Sequence, residues 1–213
     1  MTKKYFTIIL AGQKNIIVLL MVMGIYSFTA SFKKNNHTNL CPAGMLINET
    51  DSLVSKKAFL EVYKVLMSPR CMNCHPSGDV PLVGEDSHLH GQRVKRGEDG
   101  RGMYASKCAN CHMDKNTPGL NKPPGNPDWH MPPANMKMIF QGRAARELAA
   151  QLLDTAENGN KTIEDLKNYI ANNGLVAGAW NPGEGRNPPP LSYEEFTKQF
   201  RLWIDNGAFL PDR

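Results

Sequence analysis

The sequence predicts a mainly α-helical fold with long Pro/Gly-rich connections, and three observations lead there. Apolar residues recur at helical spacing in four separate stretches between Ser55 and Asp205. The 15 prolines and 18 glycines gather between those stretches, where they force irregular backbone. No strand-helix-strand pattern accompanies them. A pentapeptide with cysteines at its first and fourth places and histidine at its fifth occurs twice, Cys71-Met72-Asn73-Cys74-His75 and Cys108-Ala109-Asn110-Cys111-His112.

Residues 1–30 look like an export signal or a membrane anchor. Lys3, Lys4 and Lys14 precede the apolar run Ile16 to Tyr26, and Ser27-Phe28-Thr29-Ala30 supplies a small-residue exit for cleavage. Counted to Phe32, the run reaches about 17 residues, the lower limit for a spanning helix. Either outcome puts the working part outside the cytoplasm. Residues 31–54 form a polar, Asn-rich linker in which Cys41 and His37 are incidental. The formal charge is +5 and falls to about +2 without the three amino-terminal lysines, which gives no ground for a nucleic-acid partner.

The first helix covers Ser55 to Met67, with Phe59, Val62, Tyr63 and Leu66 on one face, and Pro69 stops it. It delivers the chain to Cys71. After His75 the prolines and glycine of Pro76 to Pro81 dictate an irregular path. The loop that follows holds His88 and His90, and Arg93, Lys95, Arg96, Arg101 and Lys107 make a basic stretch before Cys108. That stretch reads as a solvated loop, or as a surface for an acidic partner or a haem propionate.

Each Cys-x-x-Cys-His run has the spacing of a covalent haem c attachment site. Two thiols three residues apart can reach two vinyl groups on one porphyrin edge, and the adjacent imidazole turns under the ring to hold iron. A lone Cys-x-x-Cys also suits a redox dithiol or half a zinc site. The 37 positions from Cys71 to Cys108 exceed the usual span of a four-cysteine zinc site, and zinc gives no reason for a histidine after both pairs. An anchored iron needs a sixth partner. His90 is the expectation for the first haem, and Met131, Met136 and His130 compete for the second. Met138 is expected only to pack.

Downstream, Gly142 to Ala156 reads as a helix with Leu148, Leu152 and Ala156 on its stripe, ended by Asn158-Gly159. Another opens at Thr162, with Asp165 completing a capping box and Ile163, Leu166 and Ile170 on its apolar face; Gly174 is its expected stop. Trp180 to Pro190 is a Pro/Gly loop pinned by Trp180, with Arg186 a candidate for contact with a propionate. The last helix follows the capping box Ser192-x-x-Glu195 and carries Phe196, Phe200 and Trp203.

Gly102-Met103-Tyr104 before Cys108, and Trp129-His130-Met131-Pro132-Pro133 after it, resemble the first helix and the methionine loop of class I cytochromes c. The wider pattern spans about residues 55–210. It joins Cys71–Pro76, Gly78-Asp79, His90-x-x-x-Val94-x-Arg96-Gly97, the second haem motif, Trp129-His130, Met136 and Gly185-Arg186-Asn187-Pro188. It resembles small bacterial dihaem cytochromes labelled as subunits associated with isoquinoline 1-oxidoreductase or membrane-linked aldehyde dehydrogenase. The resemblance implies a cytochrome c-like domain over 55–213 around two covalently bound haems, in the periplasm or on the outer face of the inner membrane. It implies electron transfer from a dehydrogenase-type donor, such as a molybdenum-type oxidoreductase, to a respiratory acceptor. It also favours His90 and Met136 as sixth ligands and packs the terminal helix on the first. A His/Met second haem would sit at higher potential than a His/His first haem, so electrons are expected to run from first to second. The alternative is a dihaem peroxidase-like enzyme with one open iron.

Overall fold

The computed structural model describes residues 49–92 and 94–212. The expected signal or anchor, residues 31–48 of the linker with Cys41 and His37, and Arg93 lie outside the described residues. Six helices and two minimal β-ladders make up this part of the chain, so the fold is mainly helical.

Helix α1 runs Glu49–Leu66, six residues earlier than the apolar stripe suggests, so the end of the expected linker is helical. Glu49 and Asp51 in its first turn favour that early start, because carboxylates there oppose the helix dipole. Its buried face, Ser55, Ala58, Phe59, Val62, Val65 and Leu66, has the three-and-four spacing of an amphipathic helix. Helix α2, Pro69–Met72, is one turn opened by proline and carries Cys71.

After His75 the chain is irregular, as its prolines require. It then makes a hairpin of β1, Leu82–Val83, and β2, His88–Leu89. A second hairpin pairs β3, Gly102–Met103, with β4, Ser106–Lys107, and a 3-10 turn over Cys108–Asn110 follows. This corrects the expectation of a class I helix before Cys108. Gly102 sits at φ +90 and Tyr104 is 95% exposed at the hairpin tip, so the aromatic packs on nothing there.

Helix α3 covers Ala145–Leu153, shorter than expected at both ends. The Glu147 carboxylate accepts from the Ala144 amide at 2.9 Å, and the Asp154 side chain takes the Ala156 amide at 2.9 Å, which turns the chain out of the helix. Ala156 is therefore exposed beyond its end, while Leu148 and Leu152 are buried. Helix α4, Ile163–Asn172, has the expected reciprocal box: Asp165 N donates to Thr162 Oγ1 at 3.2 Å and Thr162 N to Asp165 Oδ2 at 3.0 Å. Leu166 and Ile170 are buried but Ile163 faces solvent. Gly174 does not end the helical path. Asn173 caps a further short helix, α5, Gly174–Gly178, by accepting from the Leu175 and Val176 amides.

Trp180 pins the following loop by donating from Nε1 to the Leu191 carbonyl at 2.7 Å. Helix α6, Tyr193–Asp205, is capped by Ser192 Oγ on the Glu195 amide at 3.1 Å. The Glu195 carboxylate turns instead to Gln199 and Lys198, so only half of the expected box forms. The first and last long helices pack together. Phe59 meets Trp203 with ring centroids 4.5 Å apart, and Ser55 Oγ donates to the Trp203 carbonyl at 2.8 Å while accepting from the Phe209 amide at 2.9 Å. Phe196, Phe200, Leu148 and Phe140 close the core around them. The chain leaves this core at Met67, and the first Cys-x-x-Cys-His run begins four residues later on its edge.

Candidate haem-attachment sites

Both pentapeptides wind into a single turn. Cys74 N donates to Cys71 O at 3.2 Å and His75 N to Met72 O at 3.0 Å; Cys111 N and His112 N both donate to Cys108 O, at 3.2 and 2.9 Å. Positions three apart on such a turn lie on one side, so each pair of sulfurs faces the same way. All four thiols are free. Burial pushes the Cys71 thiol up to about 12 and the Cys74 thiol to about 11, and raises Cys108 as well. A redox dithiol needs the opposite, a thiolate stabilised near neutral pH. Among the described residues no three His, Cys, Asp or Glu side chains converge as a cage for a metal ion, whereas tetrahedral zinc needs four donors.

The two histidines share one arrangement. His75 Nδ1 lies 2.6 Å from the Met138 carbonyl, and its ring stacks on Phe140 at 3.8 Å between centroids with planes 3° apart. His112 Nδ1 lies 2.7 Å from the Pro124 carbonyl, and its ring stacks on Trp129 at 4.1 Å with planes 8° apart. A carbonyl only accepts, so Nδ1 carries the proton and Nε2 keeps its lone pair. Burial depresses both imidazoles below their usual range, His75 to about 4, which keeps them neutral. A neutral ring, fixed by a carbonyl and an aromatic plane with Nε2 bare, is the form that binds a metal.

The Met138 and Phe140 segment reaches His75 through the backbone as well, since the Phe140 and Gln141 amides donate to the His75 carbonyl at 2.9 and 3.2 Å. The sequence suggests that Met138 packs on a porphyrin, and in the structure its side chain lies against the helical core. Its role as carbonyl acceptor left no trace in the sequence, because any residue offers that group.

His130 lies one residue after Trp129, whose ring stacks on His112, and its own Nδ1 donates to the Asp128 carbonyl at 2.6 Å. The His90 amide donates to the Pro81 carbonyl at 3.0 Å, beside the hairpin that joins the first motif through Leu82 N on the Asn73 carbonyl at 2.9 Å, and among the described residues its buried Nδ1 has no hydrogen-bond partner. His88 is exposed and tied to Asp86 at 2.6 Å. Met131 is only 4% exposed, with its amide on the Gly100 carbonyl at 2.9 Å. The Met136 thioether lies over Gly159 at the turn after α3, two residues before the carbonyl that holds His75. Arg96 links the two motifs, since its side chain donates to the Gly78 carbonyl after the first and its carbonyl accepts from Gly102 N ahead of the second.

The basic stretch is not uniformly solvated. Arg101 pairs with Asp128, and Lys107 bonds the Gly102 carbonyl at 3.0 Å, but Arg96 is wholly buried. Arg186 Nη1 donates to the Pro182 carbonyl at 3.3 Å within its own loop, and desolvation lowers its pKa. No protein-family model, curated protein or solved structure matches this chain.

Proposed function

We propose that this chain is a dihaem c-type cytochrome that carries electrons outside the cytoplasm, between a dehydrogenase-type donor and a respiratory acceptor. The observation that carries the reading is the duplicated histidine: both imidazoles that follow a Cys-x-x-Cys pair have Nδ1 on a backbone carbonyl, an aromatic ring against one face, and Nε2 unclaimed among the described residues. The donor set fits a c-type haem at each motif, with Cys71, Cys74 and His75 for the first and Cys108, Cys111 and His112 for the second. Haem supplies a reversible one-electron couple on iron, tuned by its axial ligands and surroundings.

What the protein contributes is orientation. The Met138 and Pro124 carbonyls fix the tautomer and strengthen each imidazole as a donor. Phe140 and Trp129 stop the rings from turning. The hydrogen-bonded path from Asn73 through Leu82 and Pro81 to His90 favours His90 as the further ligand at the first haem, and Trp129 on His112 favours the stretch of His130, Met131 and Met136 at the second, the assignment expected from chain order. The hydrogen bonds by which Arg96 ties Gly78 to Gly102 hold the two motifs in one unit, which suits electron passage between the two centres. A molybdenum-type aldehyde or isoquinoline oxidoreductase is the donor class that the sequence resemblance favours.

The test is the full chain matured in a host that assembles c-type cytochromes. Haem staining on a denaturing gel and the pyridine haemochrome spectrum should show two covalent haems per chain. A colourless product overturns the reading.

A further inference from the structure

Arg96 is 0% exposed and touches three segments. Nη1 donates to the Pro132 carbonyl at 2.6 Å, and Nη2 donates to the Gly78 carbonyl at 3.1 Å. Its amide donates to the Asp79 carbonyl at 2.7 Å, and its carbonyl accepts from Gly102 N at 2.8 Å. One side chain thus joins the turn after His75 to the loop that carries His130 and Met131. The glycines beside it serve the same closeness: Gly97 at φ +70 and Gly100 at φ +76 leave no room for a Cβ against the Gly102 and Met131 carbonyls.

The charge is poorly compensated. Arginine stays protonated in proteins, so burial cannot neutralise it. Its two strong hydrogen bonds go to neutral carbonyls. Its Nε has no hydrogen-bond partner, the nearest carboxylate oxygen being Asp79 Oδ1 at 3.5 Å. That carboxylate is half-exposed and shared with Lys137 at 2.9 Å. A pin alone needs only a neutral donor, whereas burying a full positive charge against one shared carboxylate is costly. The Gly78 carbonyl that the guanidinium holds lies three residues after His75.

We propose that Arg96 is a positioning residue for the first haem: it ties the Trp129–Pro133 loop to the turn after His75, and its buried charge favours the ferrous over the ferric iron. Ferric haem gains one electron and loses one unit of positive charge on reduction, so a fixed cation in low dielectric shifts that equilibrium toward the reduced form. Asp79 opposes it. This inference rests on the dihaem reading, and the two fail differently.

The experiment is a redox titration of the full holoprotein, wild type against Arg96→Gln, Arg96→Lys and Asp79→Asn, with haem content read from the pyridine haemochrome spectrum. Arg96→Gln is expected to weaken reduction of one haem by about tenfold or more, a fall of about 59 mV for a one-electron couple, with both haems retained. Arg96→Lys keeps most of that potential. Asp79→Asn, on a half-exposed side chain, removes the counter-charge and shifts the same midpoint upward. Unchanged midpoints in Arg96→Gln overturn the inference while leaving the cytochrome reading intact. If that variant does not fold, a midpoint in Asp79→Asn that stays put or falls overturns it equally. A wild-type protein without covalent haem overturns both.

Discussion

His75 lies flat on Phe140, ring centroids 3.8 Å apart and planes 3° from parallel, while its Nδ1 is held by the carbonyl of Met138 two residues earlier. Phe140 belongs at once to the hydrophobic core and to the wall of the first site. Stability and ligand geometry are therefore coupled at one side chain. Phe140→Ala is expected to cost about 3 kcal/mol or more, the range for a buried phenylalanine, and to alter the visible spectrum of one haem only. Denaturant unfolding followed at the haem band and by far-UV circular dichroism checks both.

The ligand neighbourhoods predict distinct spectra. Replacing His90 by Ala should change the haem at Cys71–His75 and leave the haem at Cys108–His112 alone, because the His90 amide is tied to Pro81 in the hairpin bonded to the first motif. His130→Ala or Met136→Leu should do the reverse, since Trp129 beside His130 stacks on His112. Magnetic circular dichroism of the ferric protein separates His/His from His/Met ligation. A His90 variant that perturbs the second haem instead overturns this pairing.

Both irons are expected to be six-coordinate, as electron carriage without substrate chemistry requires. Carbon monoxide added to the reduced protein should therefore leave the spectrum of either haem unchanged. Rapid binding to one of them identifies an open iron and supports the peroxidase-like alternative.

The buried neutral His75 predicts a pH dependence for the haem-free polypeptide. Its pKa falls from 6.5 to about 4 on folding, through desolvation above all. Between those values the unfolded chain binds a proton that the folded chain refuses, so stability rises with pH across that window and is lost as pH falls toward 4. Denaturant midpoints at pH 4.5 and 7 measure it, and a lower midpoint at pH 4.5 is expected.

At the scaffold, Thr162→Ala removes the acceptor for the Asp165 amide and should cost about 1 kcal/mol with no effect on either haem spectrum. Thermal unfolding of the holoprotein reads the first effect and absorbance the second.

Much of the scaffold was legible because its signals are local. The Thr162 and Ser192 caps and the stripes of α1 and α6 depend on residues a few positions apart, and the Trp180 pin spans only the eleven positions to Leu191. The misjudged ends have equally local reasons, visible only once the turn is built: Asp154 ends α3 early through its own side chain, and Asn173 starts a new helix where Gly174 seemed to stop one. The hairpin before Cys108 was hidden because two-residue strands are too short for alternation to register.

At the sites, the thiols and imidazoles were legible from spacing alone. Their supports were not. Met138 and Pro124 act through carbonyls that every residue has, and Phe140 reaches His75 from 65 positions away. Arg96 looked like one member of a solvated basic run, and only the fold distinguishes it from Arg101 and Lys107.

The central claim is tested most directly by counting haem on the protein itself. Mass spectrometry of the denatured full chain, produced alongside the cytochrome c maturation machinery, should show the polypeptide mass increased by two haems, falling to one when Cys108 and Cys111 are both changed to Ala. A chain whose mass shows no porphyrin contradicts the account.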